Sequence, residues 1–294
     1  MINIQLILTF LFLWLTIFFN EGTENYVASI FILSLGILHG ANDIEIGKKT
    51  LLYSKKLSNK YVLLTLYIIS ILIVSLLLFR FPLLTLILFL VLSSFHFGEQ
   101  HWSSLIKIKS KTSNLFMLSY GLLIFNILFK AHTPLVIQII KEITSFRVNE
   151  ETINILLVFS FFTTIILYLT IFKKILNFKF SVKQLFYLLL FFVVFNSASL
   201  IWAFAIYFIL WHSLPSLLDQ MLFLYGKKDY NSFLKFFKEG FIYWFIALLS
   251  LTIYYFVIKS YYKIEISMFF AFLTALTIPH IFLMFFLKSK KTNI

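Results

Sequence analysis

Apolar residues run along this chain in long blocks, broken by short polar stretches. A helix needs about 20 apolar residues to cross the hydrocarbon core of a bilayer. Ten blocks approach that length: 3–20, 26–46, 61–79, 82–106, 114–130, 152–172, 184–197, 199–225, 241–258 and 266–287. The seventh is short. Pro134–Ile140 is too short to span and is expected at the membrane surface. No soluble domain, long linker or internal repeat interrupts the pattern. The expectation is an all-α, polytopic transmembrane helical bundle of about ten spans, forming a single domain over 1–294. The first block has no basic start and no small-residue cleavage site, so it reads as a retained helix and not a signal peptide.

The basic residues orient the spans. Cytoplasmic loops collect Lys and Arg. Lys48, Lys49, Lys55, Lys56 and Lys60 follow the second block, and Lys107, Lys109 and Lys111 the fourth. Lys173, Lys174, Lys179 and Lys183 follow the sixth. Lys227, Lys228, Lys235 and Lys238 follow the eighth, and Lys288, Lys290 and Lys291 end the chain. These are 19 of the 25 basic residues. The first loop carries Glu21 and Glu24 and no Lys or Arg. The alternation sets both termini in the cytoplasm, in the cell (inner) membrane.

Composition agrees. Hydrophobic residues make up 61% of the chain and charged residues 13%, against about 45–50% and about 25% in soluble domains. The mean hydropathy is +0.96, so lipid is the solvent this chain needs. The net charge of +13 belongs to topology and anionic lipid, and no nucleic-acid motif accompanies it. Cysteine is absent, which excludes disulfides, iron–sulfur clusters and thiolate catalysis. Metal chemistry would fall to His, Asp and Glu.

Ionisable groups inside a membrane are costly, and they face a bundle interior or cavity. Lys and Arg avoid the span centres, whereas His39, His96, His212 and His280 lie within the second, fourth, eighth and tenth blocks. All four blocks run inward from outside. Each histidine lies roughly 13 to 16 residues from the outer end, so at 1.5 Å per residue all four share a layer about 20–24 Å deep. Four imidazoles at one level can converge on one cation, although each can also serve as a hydrogen-bonded core residue. Imidazole suits zinc, copper, iron or nickel. A closed tetrahedron points to structural zinc, and open positions point to Fe(II) and oxygen chemistry. His132 lies in the loop after the fifth block and is expected at the surface or interface.

Ligating histidines usually give their second N–H to a carboxylate or carbonyl. Asp43 follows His39 by four residues, Glu99 follows His96 by three and Asp219 follows His212 by seven. Each can support its histidine or be an interfacial charge. Gly40 and Gly98 allow close helix approach or room for a ligand. Pro215 and Pro279 interrupt helical hydrogen bonding near the site. Phe95, Phe97, Trp102, Trp202, Phe204, Tyr207, Phe208 and Trp211 surround the histidines, as packing residues or as a polyene-binding wall.

The segments LHGANDIE, FHFGEQHW, WHSLPS with its following DQ, and PHIFLM resemble the motif blocks of the Brp/Blh family, bacterial and archaeal integral membrane beta-carotene 15,15'-dioxygenases. The resemblance spans nearly the whole chain. It implies an Fe(2+)-dependent oxygenase that cuts beta-carotene or a related carotenoid with O2 into two all-trans-retinal molecules, with a link to a microbial rhodopsin. It implies His39, His96 and His212 as iron ligands. The family often has a further histidine where this chain has Ser216, and His280 is the replacement candidate. It commonly has Asp where this chain has His101, a further ligand or a supporting group. From the implied chemistry, Phe95, Phe97, Tyr207, Phe208 and Trp211 are the expected substrate-binding residues. A histidine-lined transporter or ion path is the alternative, though inverted repeats are not seen. A haem protein would need paired axial histidines, and a rhodopsin would need a lysine at depth.

Overall fold

The computed structural model describes residues 2–51, 59–107, 110–175, 178–258 and 265–291. Of the basic residues that set the topology, Lys55, Lys56 and Lys109 lie outside the described residues. Of the described residues, 88% are helical. Its helices are α1 (Ile2–Leu15), α2 (Glu21–Phe31), α3 (Asp43–Thr50), α4 (Lys60–Arg80), α5 (Pro82–Trp102), α6 (Lys111–Ala131) and α7 (Thr133–Thr144). There follow α8 (Glu150–Ile171), α9 (Phe178–Ser197), α10 (Leu200–Tyr207), α11 (Leu214–Tyr225), α12 (Tyr230–Ile258) and α13 (Glu265–Lys291). Among the described residues there is no strand beyond an isolated antiparallel bridge between Ile106 and Ile175.

Among the described residues, seven helical segments are long and apolar enough to cross a membrane: α4, α5, α6, α8, the run 200–225, α12 and α13. α4, α8 and α12 expose rows of large side chains, among them Leu72, Ile73 and Phe79, Phe159 and Ile166, and Phe245 and Leu249. Water would not tolerate surfaces of that size and polarity, whereas acyl chains match them.

The remaining sequence-predicted spans are helical but shorter or broken. α1 has 14 residues, about 21 Å of helix against a hydrocarbon core of about 30 Å. In α9 the apolar stretch begins only at Ser181. The second predicted span is not one helix. α2 runs into a π-helical turn at Ile32–Gly36, the helix ends at Leu38, the chain turns through 39–42, and α3 begins at Asp43. Gly36, Gly40 and Asn42 weaken continuous helix here. Such π-turns concentrate at functional sites.

The chain divides into two compact units. The first comprises Met1–Ile30, Leu90–Lys141 and Ser145–His212. α6 lies against α8 and α9, and the Asn126 side chain donates to the Leu156 carbonyl and to Ser160 Oγ across the α6–α8 contact. Every residue of α10 is buried. α10 continues into a second π-helical segment, Phe208–Ser213. Gln5 on α1 satisfies its Leu210 carbonyl at 2.7 Å. Pro215 supplies the cause of this irregularity: its ring clashes with the carbonyl four residues back, that of Trp211, and it has no N–H to give. α7 covers the stretch expected at the surface. It is an amphipathic twelve-residue helix that buries Val136 and Ile139 and exposes Pro134 and Gln138.

The second unit comprises Phe31–Phe89, Glu142–Thr144 and Ser213–Ile294. α13 packs on α4 and α3, α3 on α4 and α11, and α12 on α11 and α13. Ile44, Ile46, Leu51 and Leu63 form one apolar cluster and Leu38, Ala41, Leu217, Met221 and Phe236 another. Lys49 caps the end of α11 through the Phe223 and Leu224 carbonyls, a favourable use of a cation at a helix C-terminus.

Candidate functional site

Each unit brings two of the four membrane-depth histidines together. In the second unit, His39 lies in the turn after the first π segment and His280 lies on α13 directly after Pro279. Their ring centres are 5.0 Å apart, with planes at 84°. His280 Nδ1 donates to both carboxylate oxygens of Asp43, at 2.8 and 2.9 Å. His39 Nδ1 bonds the carbonyl of Gly36, the last residue of the π turn. Asp43 is 1% exposed. It opens α3, where helix N–H groups favour an anion, and Tyr67 on α4 donates its hydroxyl to Asp43 Oδ2 at 2.9 Å.

By spacing alone Asp43 belongs with His39, four residues before it, and the structure corrects this. That spacing puts two residues on one face only in an unbroken helix. Because the chain leaves the helix between them, Asp43 turns to His280, 237 positions away, and a backbone carbonyl holds His39. Asn42 is anchored by a bond to the Phe236 carbonyl, and Gly40 brings the backbone against the His280 ring.

In the first unit, His96 on α5 and His212 in the second π segment have ring centres 4.9 Å apart and planes at 74°. Phe97 packs on His212 at 4.5 Å and Phe208 stacks on it at 5.5 Å. Gly98 serves close helix approach. A Cβ there would stand 1.8 Å from the Met117 carbonyl oxygen, and one on Gly121 would stand 1.8 Å from that of Ser94. α5 and α6 therefore touch backbone to backbone at residues 94–98. At 100° per residue, His96 projects from the opposite side of α5.

Other predicted residues have distinct surroundings. His101 belongs to a polar cluster: its Nδ1 faces Gln184 Oε1 at 3.2 Å, its Nε2 faces the Tyr207 hydroxyl at 3.5 Å, and Tyr120 also reaches Gln184. Glu99 is buried on α5. Ser216 is buried and accepts from Gln220. Asp219 corrects the expectation of a histidine partner: it is exposed and ion-paired with Lys228 at 2.8 Å. Trp211 is buried. The π segment aims its indole at Thr9, to which Nε1 donates, and at Tyr187 and Phe191. Phe95 is half-buried. An apolar cavity of about 340 Å³ in the second unit is lined by Ser34, Leu35, Leu38, Phe233, Leu234, Phe237 and Trp244. Tyr67 and Gln184 escape sequence reasoning, since neither lies within a histidine block.

The histidine pairs fit a shared metal ion by their own spacing. An imidazole nitrogen about 2.1 Å from a cation puts its ring centre about 3.2 Å away. Two rings at roughly 100° around that cation then have centres about 5 Å apart, as both pairs do. Among the described residues, no three or more His, Asp or Glu side chains are already gathered at ligand spacing; within each unit the sets are pairs. The donors are imidazoles with one carboxylate held behind them, the arrangement in which a carboxylate fixes the tautomer of a ligating histidine.

Neither the curated proteins nor the solved structures contain a significant match to the chain. Its residues 30–288 match the family described as beta-carotene 15,15'-dioxygenase, and that stretch holds all four histidines, Asp43 and Tyr67. A match over most of the chain, on a helical scaffold with lipid-like surfaces and paired buried imidazoles, assigns it: this protein belongs to the beta-carotene 15,15'-dioxygenase family.

Proposed function

We propose that the chain cleaves beta-carotene at its central 15,15' double bond with O2, using Fe(2+) held by His39, His96, His212 and His280. The observation that carries this reading is the repeated pairing of buried, nearly perpendicular imidazoles at the separation a common cation requires. His39 and His280 would ligate through Nε2, because Nδ1 of each is engaged by Gly36 and Asp43. Fe(2+) bound there would supply the activation of O2 that a spin-paired polyene needs. The reaction balances without a reductant: one C=C bond breaks, each oxygen atom becomes an aldehyde oxygen, and two all-trans-retinal molecules leave.

The chain's own residues bind, orient and exclude water. Asp43 holds His280 in one tautomer, and Phe97 and Phe208 fix the His212 ring. Phe95, Phe97, Tyr207 and Phe208 supply apolar and aromatic surface suited to a polyene. The apolar cavity beside Leu35 and Leu38 adds a recess whose lining suits a hydrocarbon. Water exclusion protects reactive oxygen chemistry from side reactions. Expression in a beta-carotene-producing bacterium is the test. Bleaching of the orange colour with retinal in extracts is expected, and neither should occur with His96→Ala. Unchanged colour with good membrane expression contradicts the proposal.

We further propose ten crossings of the cell inner membrane with both termini cytoplasmic, counting α1, α9 and the broken second segment as crossings, and retinal delivery to a microbial rhodopsin. The segregation of Lys supports the orientation. The absence of native cysteine allows single-cysteine labelling without background. Cysteines at Lys48 and Lys290 should be shielded from impermeant thiol reagents in intact cells and one at Glu21 labelled; the reverse pattern refutes the orientation.

A further inference from the structure

We propose that Tyr67 is a positioning residue for the His280 imidazole, acting through Asp43; this rests on the metal site proposed above. The inward stripe of α4 runs Leu63, Tyr67, Ser70, Val74 and Leu78, at the three- and four-residue steps of one helix face, and Leu63, Val74 and Leu78 are buried. Within that stripe it is Tyr67 whose polar group reaches another helix, since Ser70 bonds back to the Tyr67 carbonyl. A hydroxyl in such a setting is costly unless bonded. Tyr67 gives its proton to Asp43 Oδ2, the oxygen that also accepts from His280 Nδ1, at 2.9 and 2.8 Å.

Two donors therefore share one buried carboxylate oxygen. The hydroxyl fixes the rotation of the carboxylate and draws off part of its negative charge. Both effects govern how the carboxylate orients His280 and how strongly it polarises the Nδ1–H bond, hence how good a donor Nε2 is. Phenylalanine would keep the packing on α4 and remove only this bond. The carboxylate would then be free to turn, and the His280 ring would lose its defined direction.

The experiment uses the full chain in lipid nanodiscs, stripped of metal and titrated with Co(II), whose visible bands report ligand geometry. Outer partners of metal ligands typically alter affinity by about 10–100-fold. Tyr67→Phe is expected to weaken Co(II) binding about tenfold and to move its bands, while the metal-free protein melts near the wild-type temperature. A purely structural tyrosine would lower the metal-free melting temperature and leave affinity and bands unchanged, and that result overturns the inference. His280→Ala separates the two levels. If it abolishes binding and Tyr67→Phe matches wild type, this inference alone fails. If wild type takes up no metal, the metal site itself is wrong and the inference falls with it.

Discussion

Replacing Gly98 with alanine should displace His96 without touching any histidine. The added Cβ would lie 1.8 Å from the Met117 carbonyl oxygen, and Cβ contacts shorter than 3.0 Å essentially do not occur. α5 and α6 must therefore part by about 1.2 Å, or twist by an equivalent amount. Overpacking of this kind costs about 1–3 kcal/mol. The geometric effect is larger in consequence. His96 rides on the displaced helix opposite the contact, whereas His212 sits in a separate segment and stacks on Phe208 of that segment. Metal–ligand distances tolerate only about 0.2 Å, so a shift several times larger should empty or cripple the site. Gly121→Ala meets the Ser94 carbonyl at the same 1.8 Å and should have the same effect from the other helix. The assay is retinal formed per membrane-inserted protein, with iron content measured on the purified variants. Wild-type retinal yield and iron content in both variants would refute the reasoning that the α5–α6 contact sets the position of His96.

Asp43→Asn should retain the fold yet lower metal affinity about 10–100-fold, because a neutral amide no longer fixes the His280 tautomer; competitive metal titration measures it, and an unchanged affinity contradicts the role. His132, between α6 and α7, has its pKa lowered by burial, with a backbone contact at Phe195 and the charges of Glu21 and Glu24 partly opposing. The neutral form is therefore favoured on folding. As pH falls below about 6.5 the unfolded chain takes up the proton first, so stability declines. Melting curves from about pH 8 to about pH 5 should show a decline that is smaller in His132→Gln, and parallel declines would exclude His132 as a cause.

Much of the scaffold can be read from the linear pattern, because lipid imposes one requirement on every crossing segment: a long apolar run with its backbone bonds satisfied internally. α4, α5, α6, α8, α12 and α13 are all built on blocks legible in this way. The four histidines stand out for the complementary reason, as polar groups where the pattern forbids them. What periodicity misses begins where the helix breaks. The i, i+4 rule links Asp43 to His39 only if the helix continues, and the π turn at Ile32–Gly36 sends Asp43 to α13 instead. The π segment at Phe208–Ser213 likewise rotates Trp211 toward α1 and α9. Asp219 lies on the correct helix for a partner of His212 but on its solvent-exposed face. Tyr67 and Gln184 are invisible to any local motif, since their significance comes from partners 24 and 83 positions distant.

Iron analysis of the purified chain, with each histidine replaced by alanine in turn, tests the central claim most directly. The account predicts about one iron per wild-type chain, bound through imidazole nitrogens by X-ray absorption, and loss of that iron in His39→Ala, His96→Ala, His212→Ala and His280→Ala alike. Full iron occupancy in any of the four variants, or a wild-type protein that cleaves carotenoid with no iron bound, would contradict it.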